Sequence, residues 1–362
     1  MAANANCGVL AVTDNCGAQR SPMCGTCVAS GVTCGGGKLP NVCGSTVSPS
    51  ARSGASMAYD SVRGVTVMFG GCPSTNCNSG PYFNDVWEWN GAYWTQGTPM
   101  GSPVARSGAS MTYDSVRQVT LMFGGGINSN ITDYNDLWSW NGTTWINLVP
   151  NGSPTAPPVR NSAGLVFDSN RGVSVLFAGN IRGDSMLDDT WEWNGSAWRN
   201  ATPSGLGGGG TNPTSRMQFA AAFDTVTNTM IIYGGCGASG CSGLLGDMWS
   251  WNGAAWTSLT VTPPDPGPLA ATYMAFDTAT SQAILYLDNP SSPSTWALSS
   301  SVPGQMQWSN LSPPATPPYR FGAPVVYDSM RKVVVMFGGA GSTGPLNDVW
   351  EWNGTTWNDV TP

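Results

Sequence analysis

Hydrophobic and polar positions fall along this chain in short, strand-length runs. The clearest is Asp85-Val86-Trp87-Glu88-Trp89-Asn90-Gly91-Ala92-Tyr93-Trp94. Apolar positions on either side of an Asn-Gly step predict a strand, a tight turn and a second strand. Asn-Gly at the centre of a two-residue loop asks for a type I′ turn, because both positions then take positive φ. That register sets residue 89 opposite 92, 88 opposite 93 and 87 opposite 94. Trp87 and Trp94 are therefore expected to meet as an aromatic cross-strand pair. The same pattern returns at residues 136–145, 189–198, 247–256 and 348–357.

Two further strands precede each hairpin. Arg52-Ser-Gly-Ala-Ser-Met-Ala-Tyr-Asp60 predicts a first strand and Val65-Thr-Val-Met-Phe-Gly-Gly71 a second. Between them Asp60-Ser-Val-Arg63-Gly64 makes a tight turn that the aspartate caps with its own side chain. The turn aspartates are Asp60, Asp114, Asp168, Asp224, Asp277 and Asp328, at steps of 54, 54, 56, 53 and 51 residues. A four-strand unit recurring six times at this spacing has the period of a propeller.

A glycine pair ends the second strand at Gly70-Gly71, Gly124-Gly125, Gly234-Gly235 and Gly338-Gly339, with Ala178-Gly179 in the third unit. With its spaced outer aromatics, the repeat resembles the kelch-repeat β-propeller family over residues 51–362. The resemblance implies an all-β, six-bladed propeller over residues 49–362. Its blades span about 51–98, 104–149, 158–201, 215–260, 269–310 and 319–362. The fifth unit departs from the pattern. Leu269-Ala270 replaces the leading arginine, Leu287-Asp288 replaces the glycine pair, and Trp296 and Trp308 stand twelve apart without Asn-Gly. That unit is expected to be the weakest. Every unit is complete within its own repeat, so the ring is expected to close by packing of the sixth blade on the first.

In an up-and-down blade the first-to-second and third-to-fourth turns share one face of the disc. The second-to-third loops and the connections between blades share the other. Here the first kind is tight and the second long, so binding residues are expected on the long loops. The groups there that do not recur from unit to unit are Tyr82, Phe83, Asn128, Asn130 and Tyr134, and they are the candidate binding residues.

Residues 1–48 differ in kind. They carry Cys7, Cys16, Cys24, Cys27, Cys34 and Cys43 among many glycines and few apolar residues, and read as a module stapled by disulfides. Six cysteines allow fifteen pairings, and the spacing chooses none of them. The other four, Cys72 with Cys77 and Cys236 with Cys241, bracket short loops in two repeats and are expected to be disulfides. Zinc competes for such spacings, but the chain has no histidine. Disulfides point to an extracellular or cell-surface setting, with no signal peptide at the start of this sequence. The cysteine-rich arm is expected to serve as a docking or assembly element.

Charge and missing residue types narrow the function. Only 10% of residues are charged and the formal net charge is −7, which argues against a nucleic-acid partner. No apolar run reaches membrane-spanning length. The lack of histidine removes Ser-His-Asp and Cys-His catalysis and the His-ligated copper centre of some kelch propellers. Sialidase-type propellers need a Ser-x-Asp-x-Gly-x-x-Trp turn, which is not found here. Asp85 and Asp60 with their equivalents, and Arg52 with Arg106, Arg160, Arg216 and Arg320, recur in phase, so they read as framework. No catalytic residue, cofactor or metal ligand is assigned. The expectation is a non-enzymatic propeller that binds a protein partner or copies of itself, as an extracellular scaffold, filament or adhesion component. A carbohydrate-binding propeller is the alternative, and a glycan-acting enzyme a more distant one.

Overall fold

The computed structural model describes residues 47–77, 80–127, 132–181, 185–203, 212–238, 241–270, 273–289, 293–302 and 305–362. Ahead of these it describes the backbone of two strand pairs, Val12–Thr13 with Gln19–Arg20 and Val32–Cys34 with Cys43–Ser45. The expected crosslinks among Cys7, Cys16, Cys24, Cys27, Cys34 and Cys43, and the docking role of the arm, lie outside the described residues.

Each repeat folds as an antiparallel meander. In the first unit Ser56–Asp60, Val65–Phe69, Val86–Trp89 and Trp94–Gly97 are hydrogen-bonded in chain order. There are four such sheets and one of eight strands. The eight-stranded sheet is two meanders, the fourth and fifth units. Their outer strands Trp256–Thr262 and Gln305–Asn310 join where 260–262 run parallel to 305–307. First strands lie side by side in chain order, and Val325–Asp328 returns to Ser56–Asp60. The ring is closed, and the arrangement is that of a β-propeller.

Hydrophobic burial is concentrated in the seams. Six buried clusters each draw residues from two neighbouring units. At every seam a tryptophan of an outer strand packs on an aromatic ring of the preceding unit's second strand. The pairs are Trp94 with Phe337, Trp145 with Phe69, Trp198 with Phe123, Trp256 with Phe177, Trp308 with Tyr233, and Trp357 with Tyr286. Each is worth about 0.5–1.5 kcal/mol beyond the area it buries. The seam between last and first units uses the same device as the others, so closure needs no exchanged strand.

The recurring arginines are buried and fully engaged. Arg52 is 1% exposed and sends two bonds to Asp85 (2.6 and 2.9 Å), one to the Gly70 carbonyl and one to the Ser50 carbonyl. Arg106–Asp136, Arg160–Asp189, Arg216–Asp247 and Arg320–Asp348 repeat the pair. Burial opposes ionisation of Asp85 and Asp247, but the arginine bonds outweigh it and hold both carboxyls below their ordinary range. The turn aspartates cap their turns as expected: Asp60 Oδ1 accepts from the Val62 and Arg63 amides.

Three expectations need correction. The hairpin register is Trp89 opposite Trp94, with ring centroids 5.4 Å apart, and Trp87 lies opposite Gln96. The loop therefore holds four residues. Asn90 Oδ1 accepts from the amides of Ala92 and Tyr93, and of the Asn-Gly pair only Gly91 is left-handed (φ 94°). An asparagine that hydrogen-bonds its own loop offers the chain an alternative to the type I′ turn. Trp87 bonds Asp85 instead, Nε1 to Oδ2 at 2.7 Å.

Second, the long loops of the third, fourth and sixth units are partly strand. Val173–Ile181 with Ser185–Trp193 is an extended hairpin, and the other two units match it. In each the ladder shifts register at the glycine pair, which is a bulge with both residues left-handed. It brings the second amide to the next unit's arginine carbonyl, as in Gly71 N to Arg106 O at 2.9 Å. A Cβ on Gly70 would stand 2.5 Å from that oxygen. The third correction concerns Phe83 and Tyr134. They are not irregular loop groups but occupy one recurring position, with Leu187, Leu245 and Leu346, whose carbonyl accepts from the first amide of the next unit. Their rings lie 4.1 and 4.2 Å from the Arg52 and Arg106 guanidiniums, a cation–π contact inside the framework.

Candidate functional site

The segment after each buried arginine runs to the axis and starts the innermost strand. There Gly54, Gly108, Ser162, Gln218 and Gly322 are all left-handed, with φ between 54° and 68°. Their backbones are strung together: Gly54 N to Gly322 O, Gly108 N to Gly54 O, Ser162 N to Gly108 O and Gln218 N to Ser162 O. Glycine adopts this conformation at little cost, whereas Ser162 and Gln218 hold it against their own preference. These residues frame the channel mouth, a cavity of about 380 Å³ on the face that carries the long loops. A second cavity of about 160 Å³ lies farther along the innermost strands, among residues that include Met57, Met111, Leu165 and Met274.

Around the mouth the lining is unequal. Tyr273, Phe321 and Tyr82, from the fifth, sixth and first units in turn around the ring, make an aromatic side that Phe219 extends into the fourth unit and that also holds Asn76. Asp133, Asn161, Asn180 and Gln218, from the second to fourth units, make a hydrogen-bonding side. Asn161 Nδ2 donates to Asp133 Oδ1 at 2.9 Å, and Asn180 Oδ1 is buried without a hydrogen-bond partner. Asp133 is the one carboxylate among the described residues lining the mouth.

Both expected loop disulfides, Cys72–Cys77 and Cys236–Cys241, are formed and bear on this mouth from opposite units of the ring. Cys77 is in the lining, and its carbonyl accepts from the Tyr82 hydroxyl at 2.5 Å. Ser53 Oγ lies 3.5 Å from each sulfur of the first bridge, and Gln218 Oε1 lies 3.4–3.6 Å from those of the second. Each clip thus braces an innermost segment as well as its own loop.

Of the candidate binding residues, Tyr82 reaches the mouth, Phe83 and Tyr134 belong to the framework, and Asn128 and Asn130 lie outside the described residues. Tyr273, Phe321, Asn161, Asn180 and Gln218 were missed because they belong to the repeat itself rather than to loop insertions. A usable signal was present. The position two residues after the arginine reads Gly54, Gly108, Ser162, Gln218 and Gly322, so two units depart from glycine.

Asp288 stands behind the aromatic side, at the place of the second bulge glycine. Burial, with no arginine to offset it, pushes its carboxyl up to about 7. Tyr273 is pushed up as well, first by burial and then by Asp288. Among the described residues no group of three histidine, cysteine or acidic side chains is placed to hold a metal ion. No helix there is long and apolar enough to cross a membrane. Every arginine in the described residues from 47 onward is in an ion pair, which leaves Lys332 as the one cation there outside one.

Fold and mouth together define a β-propeller with a funnel at one end of its axis. No family model matches the chain. Among solved structures that resemble it is that of YjhT, which aligns with a TM-score of 0.57 over 86% of this chain and 98% of that one. At 12% identity the likeness speaks to the fold alone.

Proposed function

We propose that the protein is a secreted or cell-surface propeller of the kelch type, with six blades. It works by binding rather than catalysis, and its channel mouth takes a saccharide. The observation that carries this reading is the mixed lining of the mouth, where the rings of Tyr82, Tyr273, Phe321 and Phe219 stand together with the amides of Asn161, Asn180 and Gln218. A pyranose has an apolar face that stacks on rings and hydroxyls that pair with amides. The cavity falls within the ~300–1,000 Å³ range of small-ligand sites and offers a flat protein surface little to grip. With the arginines of the described propeller residues spent on the framework, the described mouth recognises by shape and hydrogen bonds rather than by charge. Hydrolysis of a glycoside calls for two carboxyl groups about 5–9 Å apart, and Asp133 stands by itself in the described lining. The loop disulfides suit an oxidising compartment.

Glycan-array screening followed by calorimetry with the best free oligosaccharide tests the reading. Tyr82→Ala and Gln218→Ala should each weaken binding about tenfold or more while leaving thermal unfolding nearly unchanged. Absence of any saccharide binding at millimolar concentration, or full binding by both variants, overturns it.

A further inference from the structure

The outer edge of a propeller is a row of unpaired strand edges, and this chain protects them unequally. Outside the fourth and fifth units the outer strands are Trp94–Gly97, Trp145–Val149, Trp198–Asn200 and Trp357–Asp359. Three are short and polar at their exposed positions: Thr95 and Gln96, Arg199 and Asn200, Asn358 and Asp359. Short, polar or charged edges resist the addition of a strand. The long edge of the fourth unit is covered by pairing with the fifth. Trp145–Val149 has neither protection. It is five residues long, uncharged, and exposes Ile146 (49%) and Leu148 (38%). Beside its start, Met100 bridges Thr144 and is 87% exposed.

We propose that the outer strand of the second unit is a homotypic docking edge, on which the same strand of a second copy pairs antiparallel about a two-fold axis. The occupant follows from the edge. An unpaired ladder is satisfied by another extended backbone, and within this molecule the outer strands Trp256–Thr262 and Gln305–Asn310 already pair edge to edge. The sequence Trp145-Ile-Asn-Leu-Val149 suits a two-fold centred on Asn147. Ile146 then faces Leu148 of the other copy, and the same contact recurs by symmetry. A chain of net charge −7 meets a copy of itself at least cost where the edge carries no charge, and this strand carries none. The joined four-stranded sheets would form a continuous sheet across the axis. This contact uses the rim and is independent of the channel mouth.

Sedimentation velocity of the full chain over a wide concentration range tests the proposal, with amide hydrogen exchange at both ends of that range. The expected result is a reversible dimer whose formation protects the amide of Asn147, which faces outward because Ile146 is the residue bonded to Ser139 on the inner side. Ile146→Lys and Leu148→Lys should each raise the dimer dissociation constant about tenfold or more, because each introduced charge faces an apolar group across the axis. Thr95→Lys, on the outer strand of the first unit, should leave it unchanged. Circular dichroism and thermal unfolding confirm that each variant is folded. Should Ile146→Lys fail to fold, Leu148→Lys and the exchange data on the unaltered chain carry the test. A chain that stays monomeric at several hundred micromolar, or a dimer that forms without protecting the Asn147 amide, overturns the proposal. So does a dimer that withstands both charge variants.

Discussion

The fifth unit and the other five solve the same packing problem with different chemistry. Elsewhere a buried arginine ties together a strand-end carboxylate, a bulge carbonyl and its own upstream carbonyl. In the fifth unit Leu269 stands at the arginine position and Ser294 at the aspartate position, so the ion pair is absent as a pair. Trp296 Nε1 bonds Ser294 Oγ at 3.1 Å, where Trp87 bonds Asp85. The upstream carbonyl that arginine Nε serves in other units is that of Gly267 here, and it accepts from the Tyr233 hydroxyl at 3.0 Å. The glycine bulge is missing too: Leu287 pairs with Ser294 in unbroken register, and neither Leu287 nor Asp288 is left-handed. What the fifth unit keeps is the seam aromatic, Trp308 on Tyr233. The ring therefore depends on an aromatic pair between neighbouring units throughout and on the ion pair at five positions. A buried pair is dispensable when both partners go together, because no uncompensated charge is left behind.

That comparison is broken most directly at Arg106 and Asp136, whose side chains are 0% and 6% exposed. Arg106→Leu should destabilise the protein by about 3–5 kcal/mol in urea unfolding, since Asp136 is left buried and unpaired. The double change Arg106→Leu with Asp136→Ser, which copies the fifth unit, should cost less than the single one. If the double variant were the less stable, the account of the fifth unit would be wrong.

Tyr233→Phe addresses the replacement donor. The Gly267 carbonyl then loses the tyrosine hydroxyl, and the expected loss is about 1 kcal/mol by thermal unfolding. An unchanged midpoint would mean that the carbonyl finds water and that the hydroxyl is incidental.

A further effect is one of pH, and its sign separates the units. Asp288 titrates at about 7 in the folded chain and near ~3.9 when unfolded. Between those values the folded state holds the extra proton, so this group lowers stability as pH rises from about 4 to about 7. Asp85, Asp247 and Glu192 are shifted down, so the stability they contribute is present above their unfolded values and is lost as pH falls through the folded ones. Asp288→Asn should flatten the midpoint profile between pH 4 and 7 and leave the acid limb alone. A profile identical to that of the unaltered chain counts against a half-buried Asp288 with no arginine partner.

The repeat made much of this legible in advance. Turn aspartates, buried arginines, seam tryptophans and loop disulfides sit where spacing put them, because each is a local or periodic requirement that every unit states again. The hairpin register was misread because the Asn-Gly step was taken without the asparagine side chain, which holds two further amides and lengthens the loop. Phe83 and Tyr134 were misread because aromatic and leucine residues share one position, and their equivalence shows only when the carbonyls they present are aligned. The channel mouth was legible only in part, through Tyr82.

By itself the sequence determined the unit: its strands, its turns and its phase, all set by contacts within about fifty residues. The tertiary structure decided what those units make together. Tyr273, Phe321 and Tyr82 come from the fifth, sixth and first units and meet only because the ring closes. Ile146 and Leu148 become an unprotected edge only by comparison with neighbours whose edges are short, polar or covered. Properties of this kind belong to the circle rather than to any segment, because proximity across the axis is created by closure and is written in no local spacing.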